Sequence, residues 1–548
     1  MIKKQNLVLL PLALIFLAVN FWLVTPVNFD QPVGYKFDWP DEVANYFWVN
    51  QYAQSGQLSI PEPLNAVAQN QIHPRSFNVS DSGSLLPGSF LGLILIYGSL
   101  VKVFSQAALI YFTPILSVLA VLAFYGIIRR IFSEPVGVLS AVIMFFHPAW
   151  WYYSLTSMLP NVAFIACTIF SLYFLIVSHS ARIQLADDGT WGRLVGRGQL
   201  SGGIGFYQLI LSALFAGLAI AIRPSEIIWL LVIFFALFFY WRRGIKPLRL
   251  ALFLTIVVLI LIPSFNQNYI LYGSFFSTGY DQLQNDSAPV CSACQAVQSL
   301  ILPFGFHPFL IGYNFLTHFI LRLWWLALPA ILGLVVYLSQ RRGAKTEIFA
   351  YILAGLAVSA ILAVYYGSWE FSDKLTLNLN TLGISYVRYW LPIYLFSLPL
   401  VATALLWLIQ FFPKRLSGLV LLIVLTFIFY RSADLVLRAK PDSILPVRQR
   451  ILEYRQDAAQ VISVTEPEAV IITVRKDKLF FPERKVIHTF DALSLNKQLL
   501  TLTPELAKLA PVYYFALGPE PTTEFTEGFK LKTLLKLDHE ILYQVILD

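Results

Sequence analysis

The sequence predicts an α-helical membrane protein with about eleven transmembrane helices and a small C-terminal α/β domain. Of its 548 residues, 57% are hydrophobic and only 13% are charged. The apolar residues occur in long runs, and a helix needs about 20 of them to cross the hydrocarbon core of a bilayer. These runs stop after Arg438, where helix-like and strand-like segments begin to alternate. The apolar runs define the membrane part, and the alternation defines the tail.

The first apolar run sets the orientation. It extends from Leu7 to Thr25 behind Lys3 and Lys4 and has no small-x-small cleavage site, so we interpret it as a retained first span. Because basic residues favour the cytoplasmic side, the N-terminus is expected there and residues 27–106 outside, in the plasma membrane. No basic face interleaved with aromatic residues accompanies the net charge of +8, so nucleic-acid binding is not indicated.

Two apolar runs follow, at Leu85 to Phe104 and Ala107 to Ile128. If both crossed, Arg129 and Arg130 would lie outside, against the charge rule. Treating the first run as a re-entrant or interfacial helix places every later basic cluster inside. The resulting spans cover approximately residues 7–26, 107–128, 136–154, 161–178, 206–222, 226–241, 250–268, 316–339, 347–366, 389–411 and 417–436.

We divide the chain into a transmembrane domain, residues 1–438, and an extracytoplasmic α/β domain, residues 439–548. Helices are expected in the tail over residues 448–463 and 493–509. Strands are expected over residues 469–474, 486–489, 511–517 and 541–547. The tail sequence has no phosphate-binding glycine loop, nucleophile elbow or metal-spaced histidines, so we assign it support or acceptor docking rather than chemistry.

The cysteines give weaker guidance. Cys167 lies in an apolar run, where it is expected to behave as a small hydrophobic residue. Cys291 and Cys294 could form a local disulfide, half of a zinc site or two idle thiols. A local disulfide is favoured if their loop faces an oxidising compartment.

A cluster of acids follows the first span. Pro40 suits the first turn of a helix, and the carboxylates of Asp41 and Glu42 favour the positive end of its dipole. Gly56 supplies the stop signal. Acids in a first turn more often cap a helix than catalyse a reaction, and we interpret Asp38 as the cap. Asp41 and Glu42 are the candidates for chemistry.

Two arginines lie at predicted outer membrane boundaries, Arg223 before Pro224 and Arg388 before Tyr389. A guanidinium at this level can bind a phosphate through its forked donors. The alternative is that each arginine side chain only extends to the membrane–water interface, so that its charged group stays in water.

The order of these features resembles the GT-C membrane glycosyltransferases, the class that includes protein O-mannosyltransferases and lipid A aminoarabinose transferases. The likeness covers roughly residues 1–430, and the order of its motifs carries it rather than any single motif. These motifs are Asp41-Glu42-x-x-x-Tyr46, His73-Pro74, Arg129-Arg130, Arg223-Pro224 and Arg388-Tyr389.

The resemblance implies an inverting transfer in which Asp41, with Glu42 next in line, is the general base. The donor is then a sugar on a polyprenyl phosphate, and the acceptor is a glycan, a lipid or a protein. A base within about 3 Å of the acceptor hydroxyl takes its proton. Arg388, Arg75 and Arg223 are the candidates for binding the departing phosphate.

The resemblance leaves a metal site open. Related sequences usually place a second acidic residue after the third span, where this chain has Asn161. An amide brings no charge, so the need for a divalent ion is undecided, with Asp41, His73 and Asn161 as candidate ligands.

Two other functions stay open at this point. Many spans with a few boundary charges also suit a transporter or flippase for lipid-linked sugars, although no internal repeat is evident. The third hypothesis is a non-catalytic scaffold that kept the GT-C-like fold and lost the activity. The sequence does not identify the sugar or the acceptor.

Overall fold

A computed structural model describes residues 6–26, 36–187, 200–241, 247–280, 302–339, 346–370, 381–518 and 528–547. The chain divides into two compact units. The first, here the helical unit, comprises Met1–Val24, Ile110–Pro263 and Ala288–Pro446. The second, here the loop–tail unit, comprises Thr25–Leu109, Ser264–Ser287 and Val447–Asp548. Cys291 and Cys294, and with them the predicted disulfide, lie outside the described residues.

Helices dominate the described chain. In order they are α1 (Asn6–Val24), α2 (Pro40–Ser55), α3 (Leu91–Phe104), α4 (Leu109–Ile131), α5 (Glu134–Phe146), α6 (Pro148–Leu155), α7 (Pro160–Asp187), α8 (Leu200–Ile222), α9 (Ile227–Trp241), α10 (Pro247–Tyr272), α11 (Pro308–Phe315), α12 (Trp324–Ser339), α13 (Thr346–Gly367), α14 (Ser385–Tyr389), α15 (Leu391–Leu408), α16 (Lys414–Leu437), α17 (Ile444–Val464), α18 (Asp477–Phe480) and α19 (Lys497–Ala507). The strands are β1 (Phe77–Val79), β2 (Leu85–Pro87), β3 (Val470–Val474), β4 (Lys485–Thr489), β5 (Val512–Leu517), β6 (Phe529–Lys536) and β7 (Glu540–Leu547).

The helical membrane fold is confirmed. Among the described residues, seven helices are long and apolar enough to cross a membrane, and two bent helix pairs raise the number to nine if each pair is one span. All nine coincide with predicted spans. The other two predicted spans, residues 7–26 and 226–241, fall on the shorter apolar helices Val8–Val24 and Pro224–Phe238. The chain is therefore an integral multi-pass membrane protein.

Both bends have a local backbone cause. Helices α5 and α6 meet at 51° because His147 is extended and Pro148, which follows it, cannot continue the hydrogen-bond ladder. The second pair, Pro308–Leu321 and Trp324–Ser339, meets at 99°. Its first member ends in a π-helical turn, Leu316–Leu321, in which the N–H of the next residue donates five residues back.

The stretch predicted as re-entrant or interfacial does not form a full-length span. Its start is strand β2, which pairs antiparallel with β1. Only Leu91–Phe104 is helical, and 14 residues extend about 21 Å, which is short of a hydrocarbon core of about 30 Å. Gly88 separates strand from helix. A Cβ there would lie 2.6 Å from the carbonyl oxygen of Ser76, so glycine permits a close backbone approach.

The tail forms a sheet with the order β4-β3-β5-β7-β6 among the described strands. Strands β4, β3 and β5 are parallel, whereas β7 and β6 are antiparallel additions. The predicted helices and strands of the tail are all present, and β6 is an addition that the sequence analysis missed. Ala68 and Ile72 from the first loop pack into one face of this sheet. The domain boundary between residues 438 and 439 stays a prediction.

Candidate active site

Helix α2 carries the acids of the candidate site. It begins with Pro40 at its first position, places Asp41 and Glu42 in its first turn, and ends at Gly56, whose φ of 74° is left-handed. These predictions are confirmed. The cap assignment of Asp38 is wrong, because Trp39 is the N-cap residue and no side chain caps the helix.

Asp38 instead binds cations of the tail. Its carboxylate is 2.5 Å from Nζ of Lys478 and 3.0 Å from the guanidinium of Arg450. Burial by itself would raise the pKa of Asp38, but the charges and hydrogen bonds of Lys478 and Arg450 lower it below its ordinary value. Asp38 is therefore paired with two cations at the entry to α2.

The two first-turn acids have different surroundings. Asp41 is half-buried, and its Oδ1 accepts a hydrogen bond of 2.6 Å from the hydroxyl of Ser76. Glu42 is only 3% exposed. Burial lowers the pKa of nearby Lys36 to about 8, and the charge of Glu42 opposes this shift. Asp41 is thus the acid with more access to solvent, whereas Glu42 is buried near the half-buried cation Lys36.

Arg75 binds the tail through a buried carboxylate. The Arg75 backbone N–H donates to Oδ2 of Asp477 at 2.8 Å, and its Nε donates to Oδ1 at 2.8 Å. Burial would raise the pKa of Asp477, whereas the charge and hydrogen bonds of Arg75 lower it. The donor-phosphate role of Arg75 stays a prediction, since the structure gives this arginine a carboxylate partner.

His73 lies beside the same carboxylate. Its ring centroid is 5.3 Å from that of His488, and its Nδ1 is 3.0 Å from the carbonyl oxygen of Pro74. Burial lowers the pKa of His73, while the Pro74 hydrogen bond and Asp477 oppose this shift. Among the described residues, no group of three or more His, Cys, Asp or Glu side chains could hold a metal ion.

The predicted metal ligands are distributed over both units. Asp41 and His73 belong to the loop–tail unit and Asn161 to the helical unit. The Asn161 amide donates to the carbonyl oxygen of Arg388 at 3.3 Å. Metal binding by these three residues stays a prediction, and we assign no chemical step to a metal ion.

The helical unit holds a second cluster around Arg223. This guanidinium is 2.7 Å from Oε1 of Glu226, 3.1 Å from the hydroxyl of Tyr366 and 4.7 Å from the ring centroid of Tyr389. Glu226 also accepts hydrogen bonds from Tyr366 and from the indole of Trp229. The charge of Arg223 is therefore already paired, and its predicted phosphate contact stays a prediction.

Arg388 shares the aromatic partner of Arg223. Its guanidinium is 4.9 Å from the ring centroid of Tyr389, which also stacks on Tyr366 at 4.4 Å. The two arginines predicted at outer membrane boundaries, Arg223 and Arg388, thus contact the same ring, that of Tyr389. The sequence did not reveal Tyr366, Ser76 or Asp477, because each acts through a partner far along the chain.

Comparisons with known proteins concern the fold and part of the sequence. Residues 91–201 match the family model described as dolichyl-phosphate-mannose-protein mannosyltransferase. No curated protein matches the sequence significantly. The structure resembles ArnT from Cupriavidus metallidurans in the apo state, at 11% identity and a TM-score of 0.55 over 97% of this chain and 98% of that one.

Two structures of an archaeal oligosaccharyltransferase from Archaeoglobus fulgidus are also similar. One, AglB, is in complex with an inhibitory peptide and a dolichol-phosphate; it has 11% identity and a TM-score of 0.55 over 92% of this chain and 69% of that one. The other is tethered to an acceptor peptide, at 14% identity and a TM-score of 0.53 over 94% and 69%. The fold is that of GT-C enzymes, and the family match and fold together support a GT-C membrane glycosyltransferase.

Proposed function

We propose that this chain transfers a sugar from a polyprenyl-phosphate-linked donor to a glycan, lipid or protein acceptor, with inversion at the anomeric carbon. The proposal places the reaction on the outer face of the membrane, with the N-terminus in the cytoplasm and the tail outside. The similar archaeal enzymes support it, because their structures contain a dolichol-phosphate in one case and an acceptor peptide in another. The matched family model also describes a lipid-phosphate sugar donor.

The observation that carries the proposal is the environment of Asp41. This carboxylate stands at the start of a helix, half-buried, with Oδ1 held by the Ser76 hydroxyl at 2.6 Å. A helix start holds a side chain firmly while leaving it accessible, as a general base requires. Asp41 lacks the burial of Glu42, which is 3% exposed. Asp41 is therefore the base of the proposed reaction, and Glu42 its electrostatic neighbour.

The reaction is a single displacement. The acceptor hydroxyl gives its proton to the Asp41 carboxylate while its oxygen forms a bond to the anomeric carbon. The bond between that carbon and the phosphate oxygen breaks, and its electron pair leaves with the polyprenyl phosphate. The attack comes from the face opposite the leaving group, so the configuration inverts. Asp41 then releases the proton to water.

The leaving phosphate gains charge and needs a cation. Arg388 lies against Tyr389, whose ring holds the guanidinium by a cation–π contact at 4.9 Å. Arg388, which lies at a predicted outer membrane boundary, is the phosphate ligand of the proposal, and removing its charge is expected to impair donor use.

A comparison of cells with and without the protein tests this function. Mass spectrometry of surface glycans, lipids and glycoproteins is expected to show a sugar that disappears on deletion and returns with the wild-type chain. The Asp41→Asn variant is expected not to restore it. Asp81→Asn is the matched control, because Asp81 is an exposed aspartate of the same loop. Full restoration by Asp41→Asn would refute the base assignment.

A further inference from the structure

We propose that helix α18 of the tail positions Asp41 for catalysis, with Asp477 as the main positioning residue; this rests on the proposed role of Asp41 as base. The helix has only four residues. Its first two side chains, Asp477 and Lys478, bind the two segments that hold the Asp41 carboxylate. One segment leads into α2, and the other contains Ser76.

The first contact acts through Arg75. Asp477 accepts hydrogen bonds of 2.8 Å from both the backbone N–H and the Nε of Arg75. Two bonds to one residue fix its backbone as well as its side chain. Ser76, the next residue, donates to Asp41 at 2.6 Å. Asp477 therefore fixes the residue that directly precedes the hydrogen-bond donor of the proposed base.

Ser76 needs such support because its backbone is strained. Its φ of 63° lies in the left-handed region, which is unfavourable for a residue with a Cβ. On its other side, the carbonyl oxygen of Ser76 accepts a hydrogen bond of 3.1 Å from the N–H of Gly88. The Asp477 contact and the Gly88 contact together hold Ser76 in a conformation that it would otherwise leave.

The second contact of α18 acts at the entry to α2. Nζ of Lys478 is 2.5 Å from a carboxylate oxygen of Asp38 and also donates to the Asp38 carbonyl oxygen. Asp38 stands three residues before Asp41 in the sequence. Because both the side chain and the backbone of Asp38 are bound, the path of the chain into α2 is fixed. Consecutive residues of one helix thus fix both segments.

An aromatic contact adds to these two. Phe481 follows α18, and its ring centroid is 4.8 Å from that of Phe47 on α2 and 5.0 Å from that of Phe77 on β1. Phe77 follows Ser76 directly. Edge-to-face packing at these distances resists relative movement of the three segments. The residues around α18 therefore contact both segments by charge and by packing.

Another ion pair of the same unit provides a control. Lys485 of β4 is 2.8 Å from Glu62 of the first loop, and Glu62 caps a turn by accepting from the N–H of Leu64. This pair also joins the loop to the tail, but it binds neither Ser76 nor the start of α2. Its loss tests whether loop–tail attachment in general, rather than α18 in particular, supports Asp41.

Hydrogen exchange of the full-length protein in detergent tests the structural part without any substrate. Asp477→Asn is expected to speed exchange of the Arg75 and Gly88 amides at least tenfold, because local opening exposes them. Lys485→Met is expected to change both rates less than twofold. Equal effects of the two variants, or no effect of Asp477→Asn, would overturn the proposal.

Steady-state kinetics tests the positioning role. With polyprenyl-phosphate-linked mannose, glucose and arabinose as donor probes, Asp477→Asn is expected to lower kcat about ten- to hundredfold and leave KM unchanged, because a misplaced base slows only the chemical step. A raised KM with unchanged kcat would show acceptor or donor docking instead. Lys485→Met is expected to keep kcat within twofold.

A double-mutant cycle identifies the route of the effect. If Asp477 acts through Ser76, Asp477→Asn lowers kcat less than twofold in a Ser76→Ala background. A full additional loss there would refute the route. Should Asp477→Asn not fold, Lys478→Met tests the other contact and is expected to lower kcat at least threefold. An active Asp41→Asn variant would refute the proposed function, while the exchange experiment would still decide whether α18 holds this segment.

Discussion

Replacing Glu226 with glutamine is expected to destabilise the helical unit by about 3 to 5 kcal/mol, the usual cost of removing one member of a buried ion pair. The side chains of Arg223 and Glu226 are only 6% and 4% exposed, and their charged atoms are 2.7 Å apart. At an effective dielectric constant of about 20, that separation corresponds to an attraction of about 6 kcal/mol. The substitution removes this attraction but leaves Arg223 buried.

The lost hydrogen bonds act in the same direction. Glu226 accepts from Tyr366 at 2.6 Å and from the indole of Trp229. A glutamine has only one accepting oxygen, so it can satisfy only one of these donors well. The other donor stays buried without its acceptor, which costs about 1 to 3 kcal/mol. Because folding also removes both charges of the pair from water, the net loss is expected to be smaller than the sum of these terms.

The assay is unfolding of the purified protein in detergent micelles with increasing dodecyl sulfate. Lys508 and Glu505 provide the matched control, because they have the same i,i+3 spacing and the same 2.7 Å separation but are 56% and 57% exposed. Glu505→Gln is expected to cost less than about 0.5 kcal/mol. If the two substitutions cost the same, burial is not what makes the Arg223 pair important.

Three further predictions concern the described contacts. Gly333→Ala is expected to destabilise the packing of α12 on α15, because the new Cβ would lie 1.9 Å from the carbonyl oxygen of Leu400. Gly418→Ala is the control, because a Cβ there meets nothing within 4 Å. The thermal unfolding temperatures of the two variants are compared. Because burial lowers the pKa of His488 to about 4, the loop–tail unit is expected to lose stability as the pH falls from about 6.5 to 4. A His488→Gln variant should lose less in melts across that range. Asp38→Asn is expected to raise the hydrogen-exchange rates of the first backbone amides of α2 about tenfold, because the mostly buried ion pair with Lys478 loses its negative charge. Unchanged exchange rates would contradict the role of Asp38 in fixing the start of α2.

Local patterns predicted much of the fold. The start of α2 followed from Pro40 with Asp41 and Glu42, since dipole and cap preferences are properties of adjacent residues. The positions of β3, β4, β5 and β7 followed from short apolar runs. Strand β6 was missed because charged lysines alternate with its apolar residues, which is the pattern of an exposed edge strand rather than a core strand.

Long-range pairing explains what the sequence could not predict. Arg75 and Asp477 are 402 residues apart, and no local rule connects an arginine after His73-Pro74 with an aspartate between two strands. The same holds for Asp38, which a local rule assigned to a cap and the structure assigns to Lys478. The candidate base was predictable from its position on α2, but the residues that hold it were not.

The most direct test of the central claim is sugar transfer by purified protein in proteoliposomes. The wild-type chain, Asp41→Asn and Asp81→Asn are each supplied with polyprenyl-phosphate-linked sugars and extracts of candidate acceptors, and release of free polyprenyl phosphate is measured. Asp41→Asn is expected to lower the release rate at least 100-fold, as the loss of a general base does, while Asp81→Asn keeps the wild-type rate. Release by Asp41→Asn at the wild-type rate would contradict the assignment of Asp41 as the base.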